Sequence, residues 1–558
     1  GISNSGSITE LLNNGSITWS ASGSGSSSGY GYGIYIDKGG SITELLNNGS
    51  ITGSATYSGS GYDSGYDSGY GIYIYSGGSI TELLNNGSIT GSASSYEGYG
   101  ISNSGSITEL LNNGSITGSA TYSGSGYGIY ISKGGSIEKL KNNGSITGSG
   151  SGYDSGYGIY IYSGGSITEL LNNGSITGSG SGYDSGYGIY IYSGGSITKL
   201  KNNGLITGST GGFSYGINNR GSIEKLKNNG LITGSGFNGY GISNNETIGA
   251  LTNTGVIYGT TNAIYNYESA KINGANNYGI LASSGSMVNN NLTIVDKSSP
   301  STLATNTTEK ENKIFNYGLA FTVASVGSYK ATDEAFKTFG TTQENEEVIV
   351  GYEKDDAGNL TTPIKHEYTI INAKDTGTGK NSITGTESIT IKNGSLSYDY
   401  KNNTSGPLKT HQAKSVILNG ITDTLLVSGN SDDNILNNSV VNAYGTAVKF
   451  NDAGGNLTLS GTVVNGGIDG KAAVSGSGNG DTLILQSGDI TYVVGTPGTQ
   501  STETQNTIVN GNINMGEGDD ILTIEAGSIV NGTMDGGTDT GRADDDTINF
   551  GTASNTRA

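Results

Sequence analysis

The chain has 558 residues, of which 98 are Gly, 4 are Pro and none is Cys, with a net charge of −20. Abundant Gly without Pro or a G-X-Y period excludes collagen, and the steady supply of Ile and Leu excludes a plain disordered tract. Without Cys there is no disulfide framework or thiolate site, which fits a chain exported unfolded, and an acidic chain without a basic cluster in its sequence is a poor nucleic-acid binder.

An internal repeat dominates the first half. The Ile that opens "ITELLNNGSIT" stands at 8, 42, 80, 107, 137, 167, 197, 223 and 248, in steps of 34, 38, 27, 30, 30, 30, 26 and 25. A unit near 25 residues therefore carries insertions of variable length, all rich in Ser, Gly, Tyr and Asp and all lying between "TGS" and "YGI". Residues 1–18 match residues 100–117 letter for letter. The sequence opens inside a repeat and is expected to be a fragment of a longer protein.

Four positions hold in every unit, exemplified by Leu140, Asn142, Gly144 and Ile146. Their spacing of two is that of a strand with one face inward. The position next to the fixed Leu changes freely, from Leu12 to Lys141, Lys201, Lys227 and Thr252. Lysine is almost never fully buried, so the changing positions are assigned to water and the fixed ones to a core. A single unit buries too few aliphatic side chains to offset the entropy of ordering it, so units must stack. Short strands, Gly turns and no helical period predict an all-β fold, a parallel β-helix in one elongated coil. The fixed Asn is expected to form a stacked amide ladder at a turn.

Three segments follow: repetitive coils over 1–295, an irregular polar insertion or atypical coils over 296–420, and acidic coils over 421–558. In the middle segment "ATDEAFKTF" predicts a short helix, and "EEVIVGYEKDDAGNLTTPIKHEYTII" predicts a hairpin around Asp356–Asn359. Residues 421–558 hold 17 acidic against 4 basic side chains, which gives the last segment a strongly acidic surface.

"YGIYIYSGGSITELLNNGSITG" and, near the end, "QNTIVNGNINMGEGDDILTIEAGSIVNGT" resemble the passenger domains of bacterial autotransporters, the type V secretion pathway. The resemblance covers most of the chain apart from about 296–420. It implies a right-handed β-helix exported to the bacterial cell surface, attached to the outer membrane only through a C-terminal β-barrel that these residues do not include. Passengers include adhesins, aggregation factors and enzymes, so the resemblance alone does not decide activity.

Hydrolase chemistry finds little footing. Both histidines, His366 and His411, fall in the middle segment, and "GSSSG" at 25–29 matches G-x-S-x-G in a chain whose composition produces such matches by chance. A polysaccharide-cleaving groove needs paired carboxylates that spacing does not place across a cleft. No cofactor is expected. The calcium alternative rests on "GEGDDILTI", with Asp519 and Asp520 as ligands. Yet Asp433, Asp481, Asp520 and Asp546 recur at 48, 39 and 26 residues, not as tandem nonapeptides. They fit turn aspartates preceding an inward Ile or Leu.

Tyrosine carries the surface signal, since 28 of 36 lie in residues 1–280. Tyr70, Tyr99, Tyr157 and Tyr187 precede "GI" once per coil and predict a structural aromatic ladder. Tyr73, Tyr75, Tyr130, Tyr160, Tyr162, Tyr190 and Tyr192 alternate with inward Ile and predict an exposed aromatic stripe. Tyr62, Tyr66, Tyr153 and Tyr183 sit in the "GYDSGY" insertions. Tyr/Ser/Gly loops on a rigid scaffold are a binding composition. The expectation is a non-enzymatic adhesin that contacts a host-cell surface protein or glycan through these tyrosines. The alternative is a self-association module that joins the same protein on neighbouring cells.

Overall fold

Each repeat contributes three short strands, one to each of three parallel sheets, and the next repeat adds its strands directly alongside. The coil around Leu140 runs Gly126–Ile131, Ser136–Asn142 and Ser145–Ser149. Ile107, Ile137 and Ile167 stand opposite one another in successive coils. The computed structural model describes all residues except 24–28, 58–66, 122–123, 152–153, 183, 297–310, 324–341, 355–359, 374–385, 399–408, 495–497, 538–544 and 552–558. It is an all-β parallel β-helix: the first sheet runs from Ile2–Asn4 to Ser286–Val288, and the third from Ser16–Gly23 to Leu319–Thr322. The helix predicted over 331–339 lies outside the described residues.

The interior is the one the repeat implies. Ile137, Leu140 and Ile146 are at most 1% exposed, whereas Lys141 is in solvent. At the corner, the backbone N–H groups of Asn143 and Gly144 both donate to the Asn112 carbonyl of the preceding coil (2.7 and 3.0 Å). A Cβ at Gly144 would collide with the Gly114 carbonyl oxygen, so this turn admits no side chain.

The "NN" pair splits into two ladders. Buried Asn142 accepts from Asn112 Nδ2 (2.8 Å) and donates its own Nδ2 to Asn172 Oδ1 (2.8 Å) and to the Ser175 carbonyl (3.0 Å). Such links run unbroken from Asn13 to Asn316. The adjacent Asn143 is exposed and donates in the opposite direction, to Asn113 Oδ1 (2.9 Å).

The coils do not continue as one rod. A second stack begins with the strand Leu360–Asn372 and continues through Val416–Gly420, Val440–Ala443, Val463–Asn465, Ile508–Asn510 and Ile529–Asn531. It has its own core, including Leu418, Leu436, Phe450 and Leu485. It lies along the first stack in reverse order. Asn419, Asn442, Asn465, Asn510 and Asn531 donate across to the carbonyls of Tyr317, Tyr278, Thr254, Asn229 and Asn203, at 2.8–3.0 Å. Each of these amides also donates to the ladder asparagine before it, as Asn442 does to Asn419 Oδ1 (2.8 Å).

An apolar seam closes the junction: Val256, Ile280 and Leu319 meet Ile421, while Tyr278 and Tyr317 meet Tyr368, Ile417 and Val440. The sequence changes where the cover begins. The residue after the corner Gly is Ser at 145 and 175, then Leu205, Leu231, Val256, Ile280 and Leu319 in the same register. Within 296–420, described residues 311–323 complete the first stack, and those from 360 onward start the second. The predicted hairpin is present as Thr342–Lys354 antiparallel to Leu360–Asn372.

Replacing Asn142 by Ala strands a buried donor on Asn112 and an acceptor on Asn172. Urea unfolding of Asn142→Ala is expected to show a loss of about 2–3 kcal/mol. Asn143→Ala, one residue away but solvent-facing, is expected to lose less than about 0.5 kcal/mol.

Candidate functional site: the aromatic face and its corner

The first sheet is built from "YGIYI" strands, and its outer side is a layered array of rings. The Tyr before Gly-Ile stacks on its counterpart in each neighbouring coil: Tyr157 lies 4.9 Å from Tyr127 and 4.8 Å from Tyr187, with planes 4° and 2° apart. This column extends from Tyr32 to Tyr240. The aromatic ladder expected at Tyr70, Tyr99, Tyr157 and Tyr187 is therefore present, and it takes in Tyr127, Tyr215 and Tyr240 as well.

The second column corrects the picture of an exposed stripe. Tyr160 stacks between Tyr130 (5.2 Å) and Tyr190 (4.9 Å) and stands edge-on to Tyr157 (5.1 Å, 86°). Tyr73, Tyr130 and Tyr160 are consequently half-buried, and Tyr190 is only 7% exposed. Alternation along the strand does turn these rings outward. The intervening Gly158 faces the other way, where a Cβ would meet the Ile176 side chain and the Gly188 carbonyl oxygen, and the rings at 157 and 160 close against each other on the outer side. Tyr75 (43%), Tyr162 (37%) and Tyr192 (38%) remain exposed at the strand end, with Tyr162 stacked on Tyr192 at 5.2 Å. Burial raises the phenol pKa values within the two stacked columns, to about 12 at Tyr32 and Tyr130, so these hydroxyls stay protonated.

The insertions leave the coil where the third sheet passes into the first. Tyr62, Tyr66, Tyr153 and Tyr183 lie outside the described residues. The described part of the same corner is also aromatic, with Tyr30, Tyr96, Phe213 and Phe237 exposed, Phe237 by 83%.

Glu97 was not legible as special. It occupies the place of Ser68 in the neighbouring coil, which puts a carboxylate against the ring column. The hydroxyls of Tyr99 and Tyr127 donate to its two oxygens. Burial raises its pKa despite these two donors. The only signal in the sequence is "EGYGI" where other coils have "SGYGI".

The remaining candidates are placed as follows. Asp520 is buried, and its Oδ1 accepts the Asp481 backbone N–H (2.7 Å); Asp481 in turn accepts from the backbone N–H groups of Gly455 (2.8 Å) and Ser477 (2.7 Å). These carboxylates stitch coil to coil, as turn aspartates do. Asp519 is exposed. Among the described residues no group of three or more His, Asp or Glu side chains is placed to hold a metal ion. His366 joins three segments, with Nδ1 at 2.9 Å from the Thr491 carbonyl and Nε2 at 3.1 Å from Ser415 Oγ. His411 Nε2 lies 3.1 Å from Thr369 Oγ1. No protein-family model, curated protein or solved structure matches this chain.

Two outcomes follow for stability. Tyr157→Ala, which removes a ring packed on three sides, is expected to cost about 3–4 kcal/mol in urea unfolding, whereas Tyr162→Ser is expected to stay within about 0.5 kcal/mol. Glu97 has a folded-state pKa above its unfolded value of about 4.3. Its favourable contribution is complete below about pH 4 and is lost as pH rises through the raised value. Glu97→Gln is therefore expected to melt higher than the parent chain at pH 7, with the gap closing below about pH 4.

Proposed function

We propose that this chain is the passenger part of a surface-displayed bacterial adhesin of the autotransporter kind, binding a host-cell protein or glycan. One observation carries the proposal: the insertions vary in length while the coils on either side keep perfect register. Ser54, Ser92, Ser119 and Ser149 align in the third sheet, and Tyr70, Tyr99, Tyr127 and Tyr157 align in the first, although 15, 6, 7 and 7 residues connect them. Variable loops on an unvarying support are the arrangement in which binding residues accumulate. The aromatic corner, the stacked Tyr162–Tyr192 pair and Tyr75, three coils from Tyr162 at the same strand end, provide flat apolar surfaces with hydroxyl edges, suited to stacking on sugar rings or peptide groups.

Self-association is the second reading, favoured by a different feature. On the outward side of the second sheet Leu12, Leu46, Leu84 and Leu111 stand in register, with Leu12 52% exposed and the others half-exposed. Contiguous apolar surface of that kind attracts a partner.

Cells displaying the chain separate the two. The adhesin reading expects dispersed cells that coat epithelium, and at least about a tenfold loss of attachment in Tyr75→Ser/Tyr162→Ser/Tyr192→Ser, since each exposed ring contributes roughly 0.5–1.5 kcal/mol. Undiminished attachment by a folded variant contradicts it. Clumping in the absence of host cells, abolished by Leu46→Ser/Leu84→Ser, supports self-association instead.

A further inference from the structure

Scattered through the sequence, the lysines form no basic cluster; the fold creates one. Lys199 and Lys201 stand in register with Lys225 and Lys227 on adjacent strands of the second sheet. One coil further, the same two places are taken by Ala250 and Thr252, which are small. Over this step leans an antiparallel hairpin of the second stack, Gly488–Val494 with Thr499–Gln505. The missing side-chain volume leaves a cavity of about 390 Å³ between the stacks, lined by the four lysines and roofed by Ile364, Tyr492, Val494, Ser501 and Glu503.

Among the described residues, charge in this cavity is unbalanced. Lys199 is paired with Glu169 (2.6 Å) and Lys201 with Glu503 (3.1 Å). Lys225 and Lys227 make no ion pair among the described residues. Burial and the neighbouring Lys227 ammonium lower the pKa of Lys201, so its charged form is held at a cost that another anion would relieve. Glu503 is pulled below its usual value by Lys227 and Lys201, against the effect of burial, so it stays ionised and still leaves cations in excess. A concave site with low-dielectric walls focuses that excess, in a chain whose net charge is otherwise −20. Its size is that of a small-ligand pocket.

We propose that this cavity binds a small organic anion, a carboxylate or sulfate on a sugar or hydrocarbon body, with Lys225 and Lys227 neutralising the head and Ile364, Tyr492 and Val494 covering the body. The site is independent of the adhesin reading and stands or falls without it.

Isothermal titration calorimetry of the whole chain with glucuronate, hexanoate and inorganic sulfate tests the proposal. Saturable binding of glucuronate identifies an acidic saccharide, and of hexanoate a hydrocarbon acid; either supports the site. Lys225→Ala/Lys227→Ala is expected to weaken that binding at least about tenfold. Lys139→Ala/Lys141→Ala, at equivalent strand positions outside the cavity, is expected to leave it unchanged. Val494→Trp fills the cavity and keeps every lysine, so it is expected to abolish binding, and it decides the matter if the lysine variant does not fold. Three results overturn the proposal: no saturable heat with either organic anion, sulfate binding as tightly as both, or unchanged binding in the folded variants.

Discussion

The structure depends on one chemical group, the buried asparagine amide. Such an amide has two N–H donors and a carbonyl, and in an apolar interior each must find a partner. In the first stack one N–H goes to the next amide and the other to the next coil's backbone, as Asn142 shows with Asn172 and Ser175. In the second stack one N–H goes along the ladder and the other crosses to the first stack, as Asn442 shows with Asn419 and Tyr278. Slipping a coil by one residue would leave these groups unpaired and turn every aliphatic outward. The amides therefore set both the pitch within each stack and the register between the two.

With register held from inside, the rest of the surface is free to differ from coil to coil. Insertions leave at one corner without disturbing the strands they connect. Tyrosine fills the outer side of the first sheet in two interlocked columns, which stiffen the face and leave only its margins available for contact. The second stack covers the coils from Leu205 onward, and the small residues Ala250 and Thr252 leave a lysine-lined gap beneath it.

Much of this was legible in the repeat. The fixed Leu, Asn and Ile against the changing Leu12/Lys141 position gave the inward face directly, and Leu140 and Lys141 lie on the expected sides. Depth was harder. A period of two says which way Tyr160 points but not that Tyr130, Tyr157 and Tyr190 surround it. Lysine at 201 and 227 gave a solvent position, yet both are half-buried under a hairpin some 270–300 residues away in sequence. The reversal of the chain left a trace in the change from Ser175 to Leu205, but an apolar residue beside a turn does not announce what covers it. That information resides in contacts between distant segments, and periodicity reports only local ones.

The side-by-side arrangement of the two stacks is the claim on which the cavity, the seam and the crossing amides all rest. The chain lacks cysteine, so spin labels attach cleanly at Lys227→Cys and Ser501→Cys, and the distance between them can be read by double electron–electron resonance. The folded-back arrangement predicts a narrow distribution within about 20 Å, the scale of two packed sheet faces plus the label arms. A distance of roughly 40 Å or more, the length of the intervening coils piled into a single rod at about 4.8 Å each, would contradict it.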